Sequence, residues 1–340
     1  MIASNISPIT TFVAVATLAR IGNDGSVKLN ELAQQRCQQL IDQATRYRVA
    51  SICDESGAHL VDCGVHTTGS LGAGIALAEV CLAGLGTVEI IPGDRHIWQG
   101  LAVTVQTDQP LAACMASQYA GWQIVGTDFF AMGSGPMRAR RGQEKLFQDI
   151  GFREASEIAV GVLESAHLPA ADICQHIAHD CKVDTEDLTL LVAPTSSLAG
   201  TVQVVARTVE TALHKMHELG FDLTRVVSGF GVAPLPPVAA NDTQGIARTN
   251  DAVLYGGEVT LWITGDEETI RDLGPRIPSS ASPDHGQPFA EIFARYDRDF
   301  YKIDPLLFSP AMIRLISVES GRSFQFGELL PDVIRQSFEG

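Results

Sequence analysis

The stretch Ala193–Leu219, APTSSLAGTVQVVARTVETALHKMHEL, has the pattern of a strand end followed by a long helix. The uninterrupted apolar run Leu188–Val192 precedes it, and such a run is typical of a buried strand. Thr195 and Ser197 are residue types that accept the first backbone N–H groups of a helix. The sequence therefore predicts a buried strand that leads directly into a helix over residues 197–219.

The predicted helix carries two stripes of side chains. Apolar residues recur at steps of three and four and form one stripe: Leu198, Val202, Val205, Val209, Leu213 and Met216. Polar residues form the second stripe: Gln203, Arg207, Glu210 and His214. A helix with this pattern buries the first stripe and presents the second either to water or to a cleft.

Arg207 and Glu210 are three residues apart, so they are neighbours on the helix surface. If the polar stripe faces water, they form an ordinary surface ion pair that contributes little to stability. If it faces a cleft, the guanidinium can hold and tune a carboxylate that works as a general base. Periodicity alone leaves both interpretations open.

Strand and helix patterns alternate along the chain, which is typical of an α/β fold. We predict β-hairpins within Arg48–Cys63 and within Met312–Glu328, and a long strand over Val253–Thr264 with a bulge at its two glycines. The glycine-rich segment Gly69–Gly86 leads into a helix. Its glycines either expose backbone N–H groups to an anion or allow close helix packing.

Composition limits the functional classes. The chain has 340 residues, 45% of them apolar, and a net charge of −16, which argues against a nucleic-acid partner. Such a length accommodates one large or two moderate domains. We expect no signal peptide and no membrane span, because a basic leader and an apolar run of about 18 residues are both missing. The seven cysteines lack CxxC spacing, so free thiols in a reducing cytoplasm are expected.

A competing class is a metal-dependent amidohydrolase or deaminase. Cys174, His176, His179 and Cys181 cluster in CQHIAHDC, but neither CxxC nor HExxH spacing is present, so we predict no metal site. A serine hydrolase is disfavoured because Gly133–Pro136, GSGP, is not a GxSxG elbow. A non-catalytic pterin-binding protein is a further alternative, and the presence of the Arg207 and Glu210 pair weighs against it.

Four segments together resemble one family. They are the helix stretch already quoted, DFFAMGSGPMRA (Asp128–Ala139), RTNDAVLYGGEV (Arg248–Val259) and DFYKIDPLLFSPA (Asp299–Ala311). All four are similar to the signatures of methenyltetrahydromethanopterin cyclohydrolases, and the similarity runs from about Leu29 to about Leu330. The resemblance implies an α/β fold of two domains with the substrate pocket between them. We place the domains at residues 1–125 and 126–340, the second carrying the helix 197–219.

The resemblance also implies a reaction and its catalytic residues. The family adds water to 5,10-methenyltetrahydromethanopterin, or to a dephosphorylated relative, and opens the ring to the N5-formyl product in one-carbon metabolism. Glu210 matches the family's catalytic glutamate and Arg207 its catalytic arginine. Whether Arg207 tunes the glutamate or only orients it stays open.

Further residues in these motifs are candidates for pterin binding: Thr195, Ser197, Gln203, Asn250, Asp251, Tyr255, Tyr301 and Lys302. Four of them have a simpler structural alternative. Thr195 and Ser197 can be helix caps, and the two tyrosines can be core aromatics with satisfied hydroxyls. The resemblance further implies a cytoplasmic homotrimer that uses no metal and no cofactor, with the pterin serving as substrate carrier.

Overall fold

Two six-stranded sheets form the frame of the molecule. The structure is a computed structural model, and it describes residues 28–297 and 302–339. Its strands are β1 (Ala50–Cys53), β2 (His59–Asp62), β3 (Gly86–Pro92), β4 (Leu101–Thr107), β5 (Trp122–Val125), β6 (Phe130–Ser134), β7 (Ala159–Glu164), β8 (Leu188–Ala193), β9 (Val226–Pro234), β10 (Glu258–Ile263), β11 (Met312–Ser317) and β12 (Ser323–Gly327).

Helices connect and cover these strands. The α-helices are α1 (Leu29–Asp42), α2 (Ala44–Tyr47), α3 (Leu71–Cys81), α4 (Met137–Arg141), α5 (Lys145–Asp149), α6 (Ala171–Cys181), α7 (Leu198–Val205), α8 (Thr208–Glu218), α9 (Asp242–Gly256), α10 (Glu267–Leu273), α11 (Phe289–Arg295) and α12 (Pro331–Glu339). The segment Leu111–Gln118 is a π-helix. This mixture of sheets and helices confirms the predicted α/β class.

The first sheet has the strand order β1-β2-β8-β7-β6-β5. Its centre is parallel, because β8 pairs in parallel with both β2 and β7, and every residue of β8 is buried. Helices α1, α3 and α7 cover one face, and α6 covers the other. A parallel centre covered on both faces explains why Leu188–Val192 is a continuous apolar run rather than an alternating one.

The parallel strands β2, β7 and β8 end at the same edge of this sheet. Asp62, the last residue of β2, accepts backbone N–H groups from residues 64–67 at 2.7–3.1 Å and so fixes the following loop. A Cβ added to Gly64 would lie 2.8 Å from the Ser197 side chain, so this loop lies directly against the start of α7. Ligands of open α/β sheets bind at this carboxyl edge.

The second sheet has the order β12-β11-β10-β9-β4-β3 and is antiparallel except for the β10–β11 pair. Buried and half-buried residues alternate along β10 and β11, so one face points to the core. Helix α8 packs on this sheet. Cβ atoms added to Gly229 and Gly231 of β9 would lie 2.9 and 3.0 Å from Val209 methyl groups of α8. The close packing of α8 on β9 therefore requires glycine at these two positions.

The two sheets are interleaved in sequence. The first takes β1, β2 and β5–β8, and the second takes β3, β4 and β9–β12. Both sheets therefore contain strands from before and after residue 125. The division into residues 1–125 and 126–340 stays a prediction.

The predicted continuous helix 197–219 is wrong in one respect, because it is interrupted. Helix α7 ends at Val205 and α8 begins at Thr208, with Ala206 and Arg207 between them. Side chains bind carbonyl groups at the interruption: the Thr208 hydroxyl donates to Val205 O at 2.7 Å, and the Gln118 amide donates to Ala206 O at 3.1 Å. The interruption therefore depends on contacts from outside the helix pattern.

The predicted long strand over Val253–Thr264 is also wrong. Helix α9 runs to Gly256, and strand β10 begins only at Glu258. Asn241 caps α9 by accepting the Gln244 N–H at 3.0 Å. The β-branched and aromatic residues of this segment favour a strand locally, but tertiary packing overrides that preference.

The glycine-rich segment Gly69–Gly86 serves helix packing. Ser70 caps α3, and a Cβ added to Gly74 would lie 2.7 Å from Val202 and 2.8 Å from Ala199 O in α7. The close contact of α3 with α7 thus requires a glycine. All seven cysteines are free. Among the described residues, none of the helices combines the length and apolarity that crossing a membrane needs.

Asp251 provides a test of the packing around α9. It is fully buried and accepts the Phe289 N–H at 2.8 Å and the Ser337 hydroxyl at 2.6 Å, which joins α9 to α11 and α12. Burial raises the pKa of its carboxyl from 3.8 to about 7. The folded protein therefore binds this proton more tightly than the unfolded chain does. The resulting stabilisation is complete below the unfolded pKa of 3.8 and is lost as pH rises through the folded pKa of about 7.

We expect Asp251→Asn to remove this pH dependence, because an amide does not ionise. Its oxygen can accept the Phe289 N–H, and its nitrogen can donate to the Ser337 hydroxyl. Between about pH 5 and about pH 8, the free energy of unfolding of the wild type should fall relative to the variant by on the order of 1–2 kcal/mol. Urea denaturation at both pH values measures this. The exposed Asp332→Asn change is the control, and parallel curves for wild type and Asp251→Asn would contradict the prediction.

Candidate active site

The polar stripe of the central helix pair faces the interior. Gln203 and Glu210 are 1% and 2% exposed, and the Arg207 side chain is 12% exposed. Of the two interpretations that periodicity left open, the surface ion pair is therefore excluded. Arg207 and Glu210 are a buried pair.

The Arg207 guanidinium binds one oxygen of Glu210. Its Nε and Nη2 atoms donate to Glu210 Oε2 at 3.0 and 2.9 Å. Glu210 Oε1 lies outside this pair. One carboxylate oxygen is thus fixed by the arginine, and the other has lone pairs with which to accept a proton.

A second carboxylate holds the same guanidinium. Arg207 Nη1 donates to Glu164 Oε1 at 3.0 Å, and Glu164 is the last residue of β7. Glu164 was not predicted as a site residue, because it lies 43 positions before Arg207. Its position directly after the apolar segment Ala159–Leu163, at the edge where ligands bind in α/β sheets, is the signal that could have found it.

Charge and burial act in opposite directions on Arg207. Burial lowers the pKa of its guanidinium, but Glu210 and Glu164 outweigh burial and hold this pKa above its ordinary value. The arginine is therefore permanently charged and shared between two anions. A buried cation is stabilised in this way only while both partners stay in place.

The interruption between α7 and α8 decides where Glu210 lies. Arg207 is the N-cap residue of α8, and Glu210 lies in the first turn of that helix. The unpaired N–H groups at a helix N-terminus carry partial positive charge and favour a nearby carboxylate. The Glu210 carboxylate therefore lies near both the positive end of α8 and the Arg207 guanidinium.

An acidic cleft of about 590 Å³ opens at the carboxyl edge of the first sheet. Its walls include Asp128–Phe130, Glu164–His167 after β7, Thr195 after β8, and Asp242 and Ile246 of α9. Among the described residues that line it, three are carboxylates and none is lysine or arginine. Glu164 belongs to both the cleft wall and the Arg207 ion pair, so it connects the cleft to Glu210.

Two aromatic side chains, Tyr119 and His214, lie beside Glu210. The Tyr119 and His214 rings stack with centroids 4.6 Å apart, and His214 lies one turn after Glu210. Burial, followed by the charge of Glu210, raises the pKa of the Tyr119 phenol to about 12. Burial lowers the pKa of His214, although Glu210 opposes that shift. Both rings are thus neutral neighbours of Glu210 at neutral pH.

Three of the predicted binding residues lie near this site. Thr195 lines the cleft, and the Gln203 amide donates to Cys81 Sγ at 3.5 Å, in the neighbourhood of Arg207. Ser197 caps α7, since its hydroxyl accepts the Gly200 N–H at 3.0 Å. Ser197 therefore has the helix-capping role that was its structural alternative.

Within the described part of the chain, the other predicted binding residues are not brought together around the ion pair. The Asn250 amide donates to Ile246 O at 2.8 Å within α9, and Asp251 binds α11 and α12. Tyr255 is fully buried, and its hydroxyl donates to Gln287 O. The Lys302 side chain is 54% exposed, with Asp297 at 3.6 Å. Tyr301 lies outside the described residues.

The CQHIAHDC segment forms α6 and divides its residues between two faces. Cys174 and Cys181 are buried, whereas His176 and His179 are exposed. Over residues 28–297 and 302–339, side chains of His, Cys, Asp and Glu form no group of three or more suited to a metal ion.

Comparison with known proteins gives one consistent family. The family model described as Cyclohydrolase (MCH) matches residues 28–338. A methenyltetrahydromethanopterin cyclohydrolase of Rhodopirellula baltica is 50% identical over 288 residues, which cover 83% of this chain and 86% of that protein. A protein of the same name from Xanthobacter autotrophicus is 48% identical over 302 residues, covering 88% and 89%. Another from Methanococcoides burtonii is 38% identical over 314 residues, covering 92% and 98%.

The shared arginine allows a direct test of the ion-pair network. Arg207→Met leaves two carboxylates, Glu164 and Glu210, without their cation. We expect the free energy of unfolding to fall by about 3 kcal/mol at neutral pH. Urea denaturation at neutral pH measures the loss.

The control is Arg36→Met, because Arg36 pairs with Glu79 at a more exposed place. That variant should lose less than about 1 kcal/mol. If both variants lost the same free energy of unfolding, the buried ion pairs of Arg207 would contribute no more to stability than the more exposed pair of Arg36.

Proposed function

The chain belongs to the methenyltetrahydromethanopterin cyclohydrolase family, and we propose that it adds water to 5,10-methenyltetrahydromethanopterin or a dephosphorylated relative. The product is the N5-formyl compound, and the reaction is reversible and part of one-carbon metabolism. The observation that carries the proposal is the buried Arg207–Glu210 pair, connected through Glu164 to an acidic cleft.

The substrate's own chemistry determines what the protein must supply. Positive charge is delocalised over N5, the bridging carbon and N10, so the carbon is already electrophilic and needs no metal or cofactor to activate it. What remains is to deprotonate the attacking water, stabilise the adduct and protonate the leaving nitrogen. One positioned carboxylate can perform both proton transfers in sequence.

We assign these transfers to Glu210. Its Oε1 atom lies outside the Arg207 pair and accepts a proton from water as the water oxygen bonds to the methenyl carbon. The neutral adduct then opens: the bond from carbon to N10 breaks, N10 takes the proton from Glu210, and the adduct hydroxyl loses its proton as the formyl C=O forms. Charge and atoms balance with one proton released.

Arg207 holds Glu210 in position for these proton transfers. Because the guanidinium is shared with Glu164, it fixes one oxygen of Glu210 without enclosing the other. Its charge also opposes a direct ion pair between Glu210 and the cationic substrate, which would stop the reaction. The acidic cleft attracts that cation from solution.

We propose that the pterin occupies this cleft, between two domains. Asp242 and Ile246 belong to α9, which packs with the second sheet, while Glu164 and Thr195 follow strands of the first. The Phe130 side chain lines the cleft and is 57% exposed, which suits stacking with a flat ring. Direct contacts of the pterin with the other motif residues stay predictions.

We further propose that the protein works as a homotrimer in the cytoplasm. The support is the family membership together with the free state of all seven cysteines, which fits a reducing compartment. The mass of the purified protein in solution decides between a trimer and other oligomers.

The first test of the function is hydrolysis of methenyltetrahydromethanopterin by purified protein, followed as loss of the methenyl absorbance with a chelator present. We expect turnover with the chelator and a fall of about 1,000-fold or more in kcat for Glu210→Gln, because the water loses its base. Pterin binding and the urea midpoint should stay close to those of the wild type. Loss of activity with the chelator would favour a metal-dependent hydrolase, and binding without turnover would favour a pterin-binding protein.

The second test removes the negative charge of Glu164, the cleft residue that binds the Arg207 guanidinium. Glu164→Gln should lower kcat by about 10–100-fold, because a displaced guanidinium no longer fixes Glu210. Glu79→Gln is the matched control, since Glu79 also pairs with an arginine and its side chain is similarly buried, at 12% exposed against 17% for Glu164. An unchanged kcat in Glu164→Gln would remove Glu164 from the mechanism.

A further inference from the structure

The interruption between α7 and α8 is held by a residue that is distant in sequence. Gln118 is fully buried, and its amide Nε2 donates to Ala206 O at 3.1 Å across 88 positions of sequence. In a continuous α-helix that carbonyl would accept the N–H of the residue four positions on, Glu210. The hydrogen bond from Gln118 therefore occupies the carbonyl that a continuous helix would pair with Glu210.

The backbone around Gln118 is itself held firmly. Gln118 is the last residue of the π-helix, all eight residues of which are buried. Arg138 Nη1 donates to the carbonyls of Met115 and Ser117 at 3.3 and 3.2 Å, and Gly135 N donates to Ser117 O at 2.9 Å. The Gln118 side chain thus extends from a rigid base, and π-helical turns are frequent at functional sites.

The π-helix also adjoins the proposed reacting centre. Its segment contacts α8, and the charge of Glu210 raises the pKa values of Cys114 and Tyr119, after burial, which is the larger cause. The same structural unit therefore lies next to Glu210 and holds the carbonyl that precedes Arg207. Displacement of that carbonyl would displace Arg207, the N-cap residue of α8, and the first turn that carries Glu210.

We propose that Gln118 is a positioning residue for the reaction, which maintains the break between α7 and α8 and so keeps Arg207 and Glu210 in register with Glu164. The proposal rests on the proposed function for its effect on turnover. Among the described residues, Gln118 is not part of the cleft lining, and its side chain donates its hydrogen bond to Ala206 O, so it acts on the site through that carbonyl.

The hydrogen bond can be removed with little other change. Gln118 Oε1 has no hydrogen-bond partner within the described part of the chain, so the Nε2 bond is the side chain's polar contribution here. Gln118→Met keeps the length of the side chain and removes the donor. Ser117→Ala is the matched control, because Ser117 is equally buried in the same π-helix and its hydroxyl donates to Cys81 O of α3, not to a carbonyl between α7 and α8.

The experiment measures kcat, KM and hydrogen exchange of the amides of residues 206–211 in full-length protein. For Gln118→Met we expect kcat to fall by about 10–100-fold with KM within about threefold of the wild type, and faster exchange in this segment. Ser117→Ala should keep both kcat and exchange near wild-type values. A kcat within about twofold of the wild type in Gln118→Met, or an equal loss in Ser117→Ala, would overturn the proposal.

A second variant covers the case in which Gln118→Met fails to fold. Gln118→Glu has the same shape, and its carboxyl can donate to Ala206 O only when protonated. Its kcat relative to that of the wild type should therefore rise as pH falls, and a pH-independent ratio would count against the proposal. If the wild type itself fails to hydrolyse the methenyl substrate, the proposed function fails, whereas unchanged exchange at residues 206–211 in Gln118→Met would refute the positioning role separately.

Discussion

A guanidinium buried between two carboxylates imposes strict conditions on the protein around it. Arg207 has to be reached by Glu210 from its own helix and by Glu164 from the end of a strand in another layer. Removing Arg207 would leave two neighbouring carboxylates without a cation in a region with little water, which is strongly unfavourable. The strand β7, the helix α8 and the turn between α7 and α8 must therefore keep fixed relative positions.

Backbone features around the pair meet those conditions. The helix stops and restarts at Arg207, which lets one side chain reach two carboxylates and puts the positive end of α8 beside Glu210. Glycines on β9 allow α8 to lie directly on the second sheet, and Gly74 allows α7 to lie directly on α3. The pair of helices is thus held between two layers that approach it unusually closely, which restricts its movement.

Local sequence carried much of this information but not all of it. The apolar run of β8, the two stripes of the helix pair and the terminal hairpins were predictable, because periodicity and turn residues determine them. The break at Ala206 was not, since the Gln118 hydrogen bond that holds it comes from a distant part of the chain. Glu164 was missed for the same reason, and α9 was mistaken in part for a strand because its composition is rich in strand-favouring residues. Asp251 and Tyr255 have hydrogen-bond partners in the core that their motif does not reveal, and their contact with a pterin stays a prediction.

The interleaved order of the strands has a consequence during synthesis on the ribosome. The β3–β4 hairpin is made early, yet the strand that covers its inner edge, β9, emerges more than a hundred residues later. Over that interval β4 presents unpaired backbone groups, and an open edge of this kind invites pairing with other chains. This edge stays open until Val226–Pro234 is available to pair with it, and truncations upstream of that strand would leave the second sheet without its centre.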